Sequence, residues 1–161
     1  MKVILPGSYD PVTLGHLAII RRAAEKYAEA YAVIFINPEK KYTFTEEERL
    51  HMLTLATKDI PNVRVDFYRG YVVDYMKEHK IDRIVKGYRT DKDLEYEKVQ
   101  AEYNFSNGGF ETELYKSEAE LSFVSSTLAR ERIFSGESLV GILPEPVIEY
   151  IKNKKDKKSK N

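Results

Sequence analysis

Short apolar runs alternate along the chain with stretches in which apolar residues recur at helical spacing. Runs at 2–5, 32–36 (Ala-Val-Ile-Phe-Ile), 63–67, 81–85 and about 110–115 have the length and β-branched content of strands. Between them, Leu17, Ile20, Ala24 and Tyr27 mark an amphipathic helix over 16–29. Similar patterns predict helices over 45–57, 71–79, 92–104 and 126–134, and a last one starting near Pro144–Pro146. Thr45 followed by Glu48 reads as a capping box at the start of the second helix rather than as an acidic site. Strict strand–helix alternation implies right-handed crossovers and a mostly parallel sheet covered on both faces. The expected class is therefore α/β, doubly wound, in a single domain over 1–151.

In the Rossmann-like strand order 3-2-1-4-5, the loops after strands 1 and 4 lie side by side where a ligand binds. The first of these reads Gly-Ser-Tyr-Asp-Pro-Val-Thr-Leu-Gly-His over 7–16, and the second Lys86-Gly87-Tyr88-Arg89. A helix starting near Gly15-His16 would offer backbone N–H groups and the positive end of its dipole to an anion, with the histidine as a further donor. Gly15 is expected to leave room for close approach of a ligand. Together the two loops predict an anion-binding cleft.

Composition narrows the chemistry. The 161 residues include no cysteine, and His16, His51 and His79 are too dispersed for a local zinc motif. The formal charge of zero divides unevenly: residues 152–161 hold six lysines and one aspartate, so the remainder carries an excess of five acids. A net-acidic body argues against general nucleic-acid binding. The lysine-rich segment 152–161 is expected to be a disordered tail. No apolar run approaches the ~20 residues of a membrane helix, and no presequence is visible, so the expected location is cytoplasmic.

Five segments in order resemble the phosphopantetheine adenylyltransferase family of the nucleotidyltransferase superfamily. They are 6–16; Asn37-Pro38-Glu39-Lys40-Lys41 with Phe44–Arg49; Gly70–Tyr75; Lys86–Arg89 with Asp93–Glu97; and Ser122–Thr127. The resemblance implies transfer of the adenylyl group of ATP to 4′-phosphopantetheine, giving dephospho-coenzyme A and pyrophosphate. Attack would be direct and in line, because the substrate phosphate is itself the nucleophile, with no covalent enzyme intermediate. By the same resemblance His16 would stabilise the transition state, with Lys40 and Arg89 as further catalytic cations. ATP would be held by Ser8, Tyr9, His16, Gly87, Tyr88, Arg89, Glu97 and the segment Leu121, Ser122, Phe123, Val124, Ser125, Ser126 and Thr127. Ser8, Lys40, Val72 and Lys86 would hold phosphopantetheine. Magnesium would arrive with ATP and without a protein cage, and the resemblance further implies a homohexamer with feedback by coenzyme A.

The chain departs from the family pattern at three places. Ser8 stands where threonine is usual, and Lys86 where arginine is usual. The last segment begins with Leu121 and ends with Thr127 in place of an aromatic residue and a serine. A related cytidylyltransferase or nicotinate-mononucleotide adenylyltransferase, or a nucleotide sensor without turnover, are the rival readings.

Overall fold

The computed structural model describes the backbone of residues 1–159 and the side-chain surroundings of residues 1–155. Five strands, β1 (Lys2–Gly7), β2 (Glu29–Phe35), β3 (Val63–Tyr68), β4 (Arg83–Tyr88) and β5 (Thr112–Lys116), form one sheet in the order β3-β2-β1-β4-β5. Every pairing is parallel, so the expected doubly wound sheet is present and has no antiparallel member. The helices are α1 (Leu14–Lys26), α2 (Glu46–Thr57), α3 (Val72–His79), α4 (Asp91–Gly108), α5 (Ser126–Ser135) and α6 (Glu145–Ser159).

Alternate residues of the central strands feed two cores. Val3, Leu5, Ala32, Ile34 and Val85 pack on one face with buried residues of α1, α2, α5 and α6. Ile4, Val33 and Ile84 pack on the other with Tyr75 and Met76 of α3. Burial on both faces explains why β1 and β2 read as continuous apolar runs.

Several boundaries differ from the sequence reading, those of α1, β4 and α6 with clear physical reasons. Helix α1 starts earlier than 16, because Thr13 is its N-cap and His16 occupies the reciprocal position of a capping box. It ends before 29, where Tyr27 turns extended and the Asn62 side-chain amide donates to the carbonyls of Ala24, Tyr27 and Ala28. Strand β4 extends through Lys86, Gly87 and Tyr88, which pair with Leu114, Tyr115 and Lys116 of β5, so most of the expected loop is strand. Finally, α6 spans Glu145–Ser159, so it runs into the segment expected to be a tail from 152, of which residues 160–161 lie outside the described backbone. Ile151 is buried against the core and Lys154 pairs with Glu48 of α2, which carries the helix past that boundary. The capping box at Thr45 and Glu48 forms as expected, with reciprocal bonds of 2.9 and 3.1 Å.

Candidate active site

The carboxyl ends of β1 and β4 open onto two adjoining cavities, of about 620 and 660 Å³. Their shared wall is formed by Pro6, Gly7 and Ser8 of the first strand and loop, Lys86 of β4, and Tyr96 and Glu97 of α4. The first cavity is further lined by Tyr9, His16, Gly87, Tyr88, Arg89 and the segment Val124–Thr127. Lys40, Tyr42 and Val72 line the second. Topology thus brings residues from five distant segments to one double site at the strand ends.

His16 is fixed by the start of α1. Its Nδ1 accepts the Thr13 N–H at 3.0 Å, while its own N–H donates to Thr13 Oγ1 at 3.3 Å. A backbone N–H can only donate, so the neutral ring carries its proton on Nε2. Burial, followed by the positive charges of Lys86 and Arg89, lowers the ring to about 4. His16 is therefore a neutral donor at ordinary pH.

Tyr9 backs this ring, with centroids 4.9 Å apart. Its hydroxyl donates to the Leu5 carbonyl at 2.8 Å and burial raises the phenol above its ordinary range. Its hydroxyl thus has a protein partner, leaving the ring as the part that supports the site.

Lys86 and Glu97 form a pair in the partition between the cavities. The ammonium lies 3.5 Å from Glu97 Oε1 and donates to the Pro6 carbonyl at 3.3 Å. Burial raises Glu97, against the opposing pull of Lys86. Arg89 is steadied by Asp93 at 3.8 Å and donates to the Ser122 carbonyl at 3.3 Å. Gly87 has a packing reason: a Cβ there would come within 2.9 Å of Ile19 Cγ1 on α1. Gly15 faces Val124, with ordinary contact distances for an added Cβ.

The helix-dipole reading needs redistribution between two helices. On α1, the Leu14 N–H donates to Ile142 and that of His16 to Thr13, so among the described residues Gly15 is the first-turn donor without a partner. On α5, Ser125 caps the Leu128 N–H, and the N–H groups of Ser126 and Thr127, residues that line the first cavity, have no partner among the described residues. The Ser126 hydroxyl donates to Pro11 and Thr127 Oγ1 accepts from Arg130, so these hydroxyls already have protein partners.

Three expected residues do not line the cavity. Leu121 packs against the core beside α1, the Ser122 hydroxyl donates to the Ala119 carbonyl, and Phe123 is 54% exposed. Ser122 reaches the site only through its carbonyl on Arg89. Conversely, sequence reasoning missed Tyr96, which borders both cavities, and the buried Arg49, whose Nη1 donates to the Ser8 carbonyl at 3.0 Å. A buried arginine on a helix gives no local pattern; its carbonyl partner 41 positions away appears only on folding.

Comparison with known proteins agrees with this arrangement. A family model described as cytidylyltransferase-like matches residues 4–132. The phosphopantetheine adenylyltransferase of Corynebacterium efficiens is 40% identical over 155 residues, covering 96% of this chain and 98% of that protein. That of Clostridium novyi is 38% identical over 152 residues, covering 94% of each. With the sheet order, the double cavity and near-full-length similarity in agreement, the chain belongs to the phosphopantetheine adenylyltransferase family of cytidylyltransferase-like nucleotidyltransferases.

Proposed function

We propose that this protein transfers the adenylyl group of ATP to 4′-phosphopantetheine, releasing pyrophosphate and dephospho-coenzyme A. The observation that carries the reading is the pair of cavities meeting at Ser8, Lys86 and Glu97, with His16 on the nucleotide side. Such a shape suits two substrates whose phosphates must touch. A phosphate oxygen of phosphopantetheine attacks the α-phosphorus of ATP, forming one P–O bond as the bond to the bridging oxygen of pyrophosphate breaks. No protein nucleophile is required, so the chain's task is alignment and charge neutralisation.

In this mechanism His16 donates its Nε2 proton in a hydrogen bond to the α-phosphate as negative charge concentrates there. Ser8 and Lys86 bind at the junction, where both phosphates meet. Lys40, exposed at the rim of the second cavity, approaches the incoming phosphate, and Val72 borders the pantetheine arm. Arg89 and the N–H groups of Ser126 and Thr127 hold the departing pyrophosphate. Gly87, Tyr88 and Glu97 shape the adenosine side.

Magnesium fits as a companion of the triphosphate. The carboxylates lining the first cavity, Asp93 and Glu97, already face Arg89 and Lys86, so the ligands of a bound ion would come mainly from phosphate oxygens and water. The ion's contribution is to neutralise phosphate charge.

A homohexamer is consistent with α4, on which Tyr96, Val99 and Tyr103 are exposed at helical spacing. Coenzyme A combines the adenosine and phosphopantetheine portions of both substrates, so the joined cavities would also accept it as a feedback ligand. The cytoplasm is the compartment this reading implies.

Incubation with ATP, magnesium and 4′-phosphopantetheine is expected to release pyrophosphate and form dephospho-coenzyme A. Absence of turnover, with a cytidylyl reaction or nicotinate mononucleotide supported instead, refutes the assignment.

A further inference from the structure

Asp10 joins three stretches that are remote in sequence, and none of the roles above uses it. Its carboxylate is buried and accepts two adjacent backbone N–H groups, from Phe44 on Oδ1 and from Thr43 on Oδ2, both at 2.9 Å. Its carbonyl accepts Arg130 Nη1 at 2.8 Å, and that nitrogen lies 4.0 Å from Oδ2. Arg130 in turn reaches Thr127 Oγ1 at 3.2 Å.

The segment ending at Thr43 and Phe44 carries Lys40. Its own bonds are local: Lys40 N–H to the Asn37 carbonyl, Glu39 N–H to Asn37 Oδ1, and Asn37 N–H to the Tyr42 hydroxyl. These close the loop on itself without fixing it to the His16 loop. That attachment comes from the Phe44 side chain, buried in the same core as Tyr9 and Val12, from Asp10, which fixes the backbone there, and from Arg49, which stacks at 3.9 Å on the Tyr42 ring while donating to Ser8.

We propose that Asp10 is a positioning residue that docks the Lys40 loop onto the His16 loop and thereby sets the affinity for phosphopantetheine while leaving ATP binding unchanged. The carboxylate is required because two neighbouring N–H donors demand two acceptor atoms; an asparagine would turn an NH2 group toward one of them. The inference rests on the adenylyltransferase reading given above.

Asp10→Asn tests it in the full-length enzyme. The KM for 4′-phosphopantetheine is expected to rise about tenfold or more, as for loss of one charge-assisted bond at a substrate loop. The KM for ATP, and its Kd by calorimetry, should stay within about twofold of the parent's. Lys40→Ala should cost much less affinity in the Asp10→Asn background than in the parent, because both changes act on one contact. Equal rises in the two KM values, or independent multiplication of the two effects, overturn the proposal.

Amide exchange in the unaltered protein keeps the test open if the variant does not fold. The Thr43 N–H is expected to exchange more slowly than those of the surrounding exposed loop; exchange at the loop's own rate overturns the docking. This readout requires no turnover, whereas an unaltered enzyme inactive on both substrates would count against the assigned reaction alone.

Discussion

Replacing His16 separates its chemical role from its structural one. In His16→Ala the transition state loses one fixed donor, and a loss of this kind lowers kcat by about two to three orders of magnitude, or about 3–4 kcal/mol. The KM values should change little, since the donor matters most as charge develops. Stability also falls, because the Thr13 N–H loses its acceptor at a residue that is only 1% exposed. An orphaned buried N–H costs about 1–3 kcal/mol, a Tm decrease of roughly 3–10 °C in a domain of this size. Two further variants divide these effects. Asparagine offers an oxygen near the Nδ1 position, so His16→Asn should regain much of the Tm without turnover. Glutamine reaches toward the Nε2 position with an N–H donor, so His16→Gln should regain part of the turnover without the Tm. Pyrophosphate release at saturating substrates and calorimetric melting are the two measurements. Turnover of the alanine variant within about tenfold of the parent removes His16 from the transition state. Stability lost in the asparagine variant but kept in the alanine one refutes the bond to Thr13. In kcat/KM, His16 itself should add no limb near 6.5, because burial and the cations Lys86 and Arg89 lower its ring to about 4 in the free enzyme. A limb at about 6 from the substrate's phosphate should be shared by the parent and His16→Ala. By linkage, the ring's contribution to stability declines as pH falls from 6.5 toward 4, where the unfolded state binds the proton more readily.

Two further outcomes concern the scaffold. Gly87→Ala places a Cβ within 2.9 Å of the branched Ile19 side chain and should destabilise the protein by about 1–3 kcal/mol in urea titrations; the loss should shrink in combination with Ile19→Ala. Glu113 on β5 is held at about 2: burial would raise it, but hydrogen bonds led by that of Lys26 and including Tyr27 outweigh this. Its stabilisation is therefore full above about pH 4.5 and lost as pH falls toward 2, so Glu113→Gln should lower the urea midpoint at pH 7 and have less effect at pH 2.

The local signals in this sequence determined its elements and its family. Apolar runs buried on both faces identified the strands, Thr45 with Glu48 marked a helix start, and strand–helix alternation implied a mostly parallel sheet. Residues 7–16 and 86–89 were legible as one site only on the assumption of the 3-2-1-4-5 order, and the pairing of β1 with β4 bears that order out. Tertiary structure decided which atoms remain available there. The Nδ1 of His16 belongs to Thr13, the Tyr9 hydroxyl to Leu5, and the Ser126 hydroxyl to Pro11, while Leu121 and Phe123 turn away from the cavity. Those outcomes depend on backbone groups supplied from other segments, and no residue pattern records where a folded carbonyl or N–H will point. Asp10 is the clearest case: its letter lies within the most legible segment, yet its partners are 33, 34 and 120 positions away. Sequence periodicity encodes which surfaces must be buried; the pairing of polar groups is settled only when burial brings distant segments together.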